Sequence, residues 1–389
     1  MKRTHIACAA LFLAILFFSL SASADGSVFV SNVDELYAAV NDPANAGAVV
    51  VLAPGTYTLS ATDGTGSPRP NGGRLELQQD MSLYGVDGDR SAVIIDGSSL
   101  PSTSVKGTGI VRTGRGSNSV QWLTISGNPR AASSINTDLP GNASTSLMVA
   151  HVTTGNSVRG VDIRNNGLAN AGRRLEAEID DSDFSSLPAT SLTEPIRIAN
   201  LSTDAGQIGV ALNGNRAHGG RFGCLVANDS SSFGTIDVRS NGDTFDENAL
   251  GCLLAAGINT GATETANSNS VTFEAHGSRF IDNTAAGLHN FNGGGGIAAV
   301  AADVEAPAAP ESASANTLAV RLWGCTFGGN QNVDFEAWGA RAMNLPAGTA
   351  GTDDTTTIDL HGVSKFVNVV AVDSTPADPT GTDTVTVNR

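Results

Sequence analysis

Apolar and polar residues alternate in short runs along most of this chain, and in its second half the runs repeat one phrase. Three alternating apolar or small positions are followed by four turn residues and then Phe. The copies are Leu175, Ala177 and Ile179 closing on Phe184; Ile236 and Val238 closing on Phe245; Val271, Phe273 and Ala275 closing on Phe280; and Leu318, Val320 and Leu322 closing on Phe327. A variant places Ala217 in the Phe position after Ile208, Val210 and Leu212, and a shorter copy runs from Ile358 and Leu360 to Phe366. Period-2 alternation predicts strands with one buried face. Recurrence at about 28–47 residues predicts a stack of like supersecondary units. Asn-Gly pairs at 213–214 and 241–242 keep an antiparallel sandwich as the alternative.

Fixed punctuation surrounds the strands. Gly214, Gly242, Gly277 and Gly324 stand three residues before the Phe position, where a corner needs a residue without Cβ. Asn248, Asn283 and Asn330 follow it by three residues, and a second short strand comes next, as in Gly223-Cys224-Leu225, Gly251-Cys252-Leu253 and Gly287-Leu288-His289. Length varies in one place only, in the Ala-, Ser-, Thr-, Asn- and Pro-rich loops 259–270, 303–316 and 344–357, as it does when insertions leave a solenoid from one side. Like residues of successive coils would then stack in rows, ~4.8 Å apart.

The opening of the chain supplies the remaining signature. Val33, Leu36, Tyr37 and Val40 lie on one helical face after Ser31 and Asp34, a capping-box-like start, and predict a helix over 32–41. Val49 to Leu52 and then Pro54-Gly55-Thr56-Tyr57 follow, with Leu83-Tyr84-Gly85 and Val93 to Gly97 as early coils. With the repeats, this resembles the right-handed parallel β-helix family of pectate-lyase-like proteins, over most of residues 27–370. The expected fold is all-β: a single right-handed parallel β-helix solenoid over 25–370, with an N-terminal capping helix that covers the exposed end of the apolar core. Residues 371–389 form a Pro-, Thr- and Asp-rich tail with a last strand at Val385–Val387. The fold hosts several chemistries and non-enzymes, so it fixes no activity by itself.

Composition narrows the partners. Met1–Ala24 has a basic start, an apolar stretch from Ala10 to Leu20 and an Ala22-Ser23-Ala24 cleavage site, the form of a signal peptide, so export to the extracellular space or periplasm is expected. No later stretch is long and apolar enough to span a membrane. The net charge is −16 and only Lys106 and Lys365 remain as lysines beyond the leader, which argues against a nucleic-acid partner. A polyanionic ligand would need a locally basic groove. Cys224 and Cys252 fall at equivalent core positions of neighbouring coils, with a disulfide open to them in an exported protein. Cys325 sits alone in a corner.

Several clusters could carry chemistry. Glu176, Glu178, Asp180, Asp181 and Asp183 are the densest carboxylates, and Glu176, Glu178 and Asp180 are the candidate ligands for Ca²⁺, a hard cation that prefers oxygen donors. The other reading is a solvated acidic patch. The family resemblance implies a calcium-dependent lyase in which acidic ligands hold the uronate and an arginine, here Arg197 or Arg216, is the base. It also implies a hydrolase with paired carboxylates: Asn136-Thr137-Asp138, Asp180-Asp181 and His218-Gly219 come in the order of polygalacturonase-type enzymes, although the Arg-Ile-Lys segment that should follow is missing. Asp180, Asp181, Arg197 and His218 are therefore the catalytic candidates. The outward row Glu178, Ala211, Arg239, Glu274, Arg321 alternates in sign over its last three members. Arg239, Glu274 and Arg321 are candidates for binding a sugar chain, against an ion-pair ladder on an exposed sheet. His276 and His361, near strand ends, are candidate general bases or surface histidines. Trp122 alternates with Val120 and is expected in the core, with Trp323 and Trp338 more exposed.

The sequence supports a secreted β-helix that acts on or binds extracellular polysaccharide, as a lyase or a glycoside hydrolase if catalytic. The alternative is a non-catalytic surface, matrix or adhesin-like β-helix.

Overall fold

The structure, a computed structural model, describes residues 26–101, 108–127, 132–137, 145–166, 174–187, 193–202, 204–259, 265–284, 295–304, 313–342, 353–363, 369–375 and 383–389. The leader 1–24, Asp138, His289, Phe366 and both remaining lysines lie outside the described residues. Among those described, the strands form two parallel sheets, one of 19 strands (sheet 1) and one of 10 (sheet 2). One coil shows the path. Arg174–Asp180 runs along sheet 1, the chain turns at Asp181, and Asp183–Ser185 continues sheet 1 on a second strip. Glu194–Leu201 crosses to sheet 2, and Gln207–Asn213 returns to stack in parallel on Arg174–Asp180. The chain is a parallel β-helix.

The repeated phrase sets the register. Leu175, Ile208, Ile236, Val271 and Leu318 pair in one inward row, and Ala177, Val210, Val238, Phe273 and Val320 in the next. Phe184, Ala217, Phe245, Phe280 and Phe327 form a third row. The rings of Phe245, Phe280 and Phe327 stack at centroid distances of 5.1 and 5.0 Å. All these rows lie in one continuous core, as expected when each coil can bury its apolar face only against its neighbours.

The corners carry the polar ladders. Gly214, Gly242, Gly277, Gly324 and Gly362 turn the chain at φ between 60° and 69°, the left-handed region that glycine enters freely. Asn248, Asn283 and Asn330 stack beyond the Phe row. Asn248 Oδ1 accepts from Gly220 N at 2.9 Å, Asn283 Oδ1 from Asn248 N at 3.1 Å, and Asn330 Oδ1 from Asn283 N at 3.3 Å. Each side chain thus satisfies buried backbone of the neighbouring coil. Cys224 and Cys252 are rung partners, as expected, and both are buried free thiols. Cys325 Sγ donates to Ala275 O at 3.4 Å.

At the N-terminal end a helix spans Val33–Asn41 with Leu36, Tyr37, Ala39 and Val40 buried. Its N-cap is Asn32, one residue later than the expected Ser31. Asn32 Oδ1 accepts from Asp34 N and Glu35 N, while the Ser31 hydroxyl reaches Glu35 Oε2 at 2.9 Å. At the other end Val369–Thr375 pairs with Phe335–Ala342 on sheet 2, and Thr384–Asn388 pairs with Thr355–His361 on sheet 1. Among the described residues no helix is long and apolar enough to cross a membrane.

Candidate functional site

The carboxylates singled out by sequence stand on the outer face of sheet 1, but not as a ligand set. Glu176, Glu178 and Asp180 alternate along one strand, which spaces them by ~6.6 Å per step. Arg174 Nε reaches Glu176 Oε1 at 2.6 Å, and Asn213 Nδ2 donates to Asp180 Oδ1 at 2.7 Å. Among the described residues no three His, Cys, Asp or Glu side chains converge as metal ligands, so the expected calcium site does not fit this face. Asp181 occupies the corner at φ 44° and is exposed. Glu178 and Asp180 line a shallow depression of about 510 Å³ with Asp181, Gln121, Trp122 and His151. Burial there, and then the Asp180 charge, push the Glu178 carboxyl above its usual range.

The four catalytic candidates do not meet. Asp180 and Asp181 belong to this face and its corner. His218 lies on the second strip of sheet 1, where its Nε2 pairs with Asp183 Oδ1 at 3.0 Å. That hydrogen bond, opposed by partial burial and helped by the His218, Arg216 and Arg90 charges, lowers the Asp183 pKa. Arg216, the other arginine considered, is held by the Asp246 carboxylate through contacts of 2.7–3.2 Å. Arg197 is on sheet 2, across the coil. Asn136 and Thr137 are on sheet 2 as well, so the order of short motifs that resembled a polygalacturonase does not become a cluster. The reason is topological: adjacent segments of one coil face different sides.

Arg239, Glu274 and Arg321 stack as read from the sequence, with Asp359 beneath them. Arg321 Nη1 lies 2.8 Å from Glu274 Oε1, Arg239 Nε 3.8 Å from Glu274 Oε2, and Arg321 Nε 3.7 Å from Asp359 Oδ2. These pairs satisfy one another on an exposed face, the geometry of a weak surface ladder.

The unusual chemistry lies on the outward face of sheet 2, in the earlier coils. One row there reads Glu76, Arg112, Asn136, Asp162, Arg197 and then Leu225, Leu253, Ala298. Leu225, Leu253 and Ala298 belong to a second, purely apolar cluster with Phe222, Leu250, Val300 and Trp338. In the earlier coils the same face is ionic and also buried. Asp162 is fully buried, with Arg159 Nη1 and Arg164 Nε each 3.7 Å from its Oδ2, and Ser133 Oγ and Asn136 Nδ2 donating to that oxygen at 3.2 and 3.3 Å. Arg159 Nε binds Glu194 Oε2 at 2.6 Å. Arg197 reaches Asp229 only at 3.6 Å. Among the described residues, buried Asp162 Oδ1 and Arg197 Nε have no hydrogen-bond partner. Burial alone would raise the Asp162 pKa, yet Arg164, Arg159 and Arg197 outweigh it and hold the carboxyl below 3.8. Burial, reinforced by the Arg159 charge, lowers the Arg197 pKa against Asp162, Glu194 and Asp229. The face reaches solvent at its rim, where the Arg112 and Asp229 side chains are 30% and 26% exposed.

Of the charged residues in this set sequence reasoning found only Arg197. Arg112, Arg159, Asp162, Arg164 and Glu194 carried no motif, and only the rung register collects them. Two aromatic expectations reverse. Trp122 is half-buried at a left-handed corner, φ 55°, because the extra corner residue resets the alternation after Gln121. Trp338 is buried in the second apolar cluster. Trp323 is sandwiched between His276 and His361, at centroid distances of 4.4 and 5.6 Å, so both histidines are stacking partners on an exposed edge.

No family model matches the chain, and no curated protein does. Among solved structures the chain is similar to the mannuronan C-5 epimerase AlgE4 A-module of Azotobacter vinelandii, with 15% identity over 91% of this chain and 95% of that one and a TM-score of 0.36. It is also similar to pectate lyase Pel9A, with 13% identity over 92% and 81% and a TM-score of 0.30. A third is the catalytic unit of a GH87 α-1,3-glucanase from Streptomyces thermodiastaticus, with 13% identity over 90% and 68% and a TM-score of 0.29. The likeness is one of fold.

Proposed function

We propose that this chain is an exported polysaccharide-engaging β-helix that receives a uronate-bearing chain over the ionic part of sheet 2. One observation carries the reading. In a chain of net charge −16, the outward face of sheet 2 gathers Arg159, Arg164 and Arg197 around Asp162, with Arg112 two rungs away beside Glu76, and among the described residues leaves buried polar atoms of Asp162 and Arg197 without partners. Charges so placed are costly to bury, and apolar side chains such as Leu225 and Leu253 cover the same face without that cost. A guanidinium with an unused Nε–H is suited to donate to a carboxylate oxygen as a charge-assisted partner. Arg112 at the rim would meet the polymer first, and Arg197 would take the uronate carboxylate nearer the centre. Asp162 would orient both Arg164 and Arg197. Asp162 is engaged by Arg159 and Arg164, and Glu194 by Arg159, so neither carboxyl stands free as the acid of a hydrolase.

The test is to present the purified protein with polygalacturonate, alginate and a neutral glucan, and to follow retardation in affinity gels, unsaturated uronate absorbance and reducing ends. Retardation by a uronate polymer, weakened about tenfold or more in Arg197→Gln of unchanged melting temperature, is the expected result. Unsaturated product would assign a lyase, and uronate binding without product a non-catalytic module. Absence of uronate binding by the folded protein would refute the proposal.

A further inference from the structure

The corner row of sheet 1 changes character in three successive coils. Gly214, Gly242, Gly277, Gly324 and Gly362 hold it in the later coils, but Trp122, His151 and Asp181 hold it in the earlier ones, at φ 55°, 55° and 44°. A side chain in this region is strained, and non-glycine residues persist there where the surroundings or a function require them. All three line the same depression. The Trp122 and His151 rings stack at 3.9 Å between centroids and 21° between planes. Gly85 occupies the equivalent place in the preceding coil, since its N–H bonds to Gln121 O at 2.9 Å, so that position brings no side chain to the other face of the indole. Trp323, the other tryptophan of this sheet, has a histidine on each side.

We propose that Trp122 and His151 form a second carbohydrate site, on sheet 1, that docks a neutral pyranose ring of a polysaccharide. The aromatic pair offers a flat apolar platform for the C–H face of the ring. Glu178, Asp180 and Asp181 stand beside it as acceptors for ring hydroxyls, with the strength of hydrogen bonds to an ionised group. Arg90, whose Nη1 donates to Asp181 O at 3.0 Å, is one cation beside three carboxylates, so the net charge of the site repels a uronate, and this site and the arginine-lined face of sheet 2 select opposite ligands. The site does not depend on the uronate reading of sheet 2.

The experiment uses calorimetry and affinity gels with soluble β-glucan, xylan and galactomannan, with polygalacturonate in excess as competitor. The variants are Trp122→Gly and His151→Gly, each restoring the glycine that the later coils carry, with thermal melts to confirm folding. Binding of at least one neutral polymer is expected, with Trp122→Gly weakening it by about tenfold or more and polygalacturonate failing to displace it. In the unaltered protein the neutral polymer should also shield tryptophan emission from acrylamide, a readout that needs no variant. Binding of none of the neutral polymers, equal binding by folded Trp122→Gly, or displacement by polygalacturonate would each overturn the proposal.

Discussion

The coils that carry Trp122, His151 and Asp181 and those that carry Gly242, Gly277, Gly324 and Gly362 are built on one plan and differ in two places. In the later coils the corner is glycine and the outward face of sheet 2 is largely an apolar cluster. The buried ion pair they do hold, Arg341 with Asp303, is closed by contacts of 2.8 and 3.2 Å. In the earlier coils the corner is strained by side chains, and the sheet 2 face holds an ionic group whose contacts to Asp162 and Asp229 are 3.6–3.7 Å. Both departures run against what stacking alone favours, and both fall in the same stretch. The later coils show what the repeat needs to stand; the earlier ones show what has been added to it.

The largest effect should come from breaking the ionic face. Arg159→Met leaves the Glu194 carboxylate buried without its cation and should lower stability by about 3–5 kcal/mol in urea denaturation. Restoration by the double variant Arg159→Met, Glu194→Leu would show that pair to be replaceable packing, and uronate binding by the same double variant would then separate scaffold from site. In the later coils, Phe280→Ala opens a cavity between two stacked rings and should cost about 3–5 kcal/mol without touching ligand binding.

The two regions should also answer pH with opposite sign. Asp162 has its pKa held below 3.8 in the folded state, so its contribution is present above that value and is lost as pH falls through the folded pKa. Asp354, in the Asn269, Asn316, Asp354, Asp383 ladder of the later coils, is pushed up to about 8, by burial first, opposed by its bonds to Asn316 and supported by the Asp383 and Asp353 charges. The folded state then binds a proton that the unfolded state releases, so stability declines as pH rises from about 4 to about 8. Asp354→Asn, which continues the amide ladder, should flatten the fall of melting temperature between pH 5 and 9.

Smaller effects sharpen the corner comparison. Gly277→Ala has room for its Cβ but must keep φ near 62°, and should cost about 1 kcal/mol. Trp122→Gly relieves the same strain and should leave the melting temperature unchanged or raise it. Arg321→Ala, in the exposed ladder, should change stability by less than about 1 kcal/mol, with an effect that salt erases.

The rows explain what sequence could reveal. Phe, Gly and Asn recur at fixed offsets because each coil repeats the same contacts, so the phrase from Leu175 to Phe327 is periodic and legible. The coils of Trp122 and His151 lack both the glycine and the Phe, that of Asp181 lacks only the glycine, and the corner residue at Trp122 shifts the alternation, which made a half-exposed indole look like core. Aligning the strand Leu147, Val149 with Ala177, Ile179 would have placed His151 beside Asp181 in the corner. The ionic face had no such signal. Arg112, Asp162 and Arg197 are separated by 25 residues or more in sequence, and only rung register makes them neighbours. The acidic run from Glu176 to Asp183 was conspicuous in sequence because it is contiguous, yet its same-face members on the strand stand ~6.6 Å apart, too far to converge on one ion.

The most direct measurement is the affinity of the folded protein for polygalacturonate and alginate, compared with Arg197→Gln at matched melting temperature. Uronate binding should fall by about tenfold or more in the variant and weaken with salt. Equal affinity in the two proteins, or no uronate affinity in either, would contradict it.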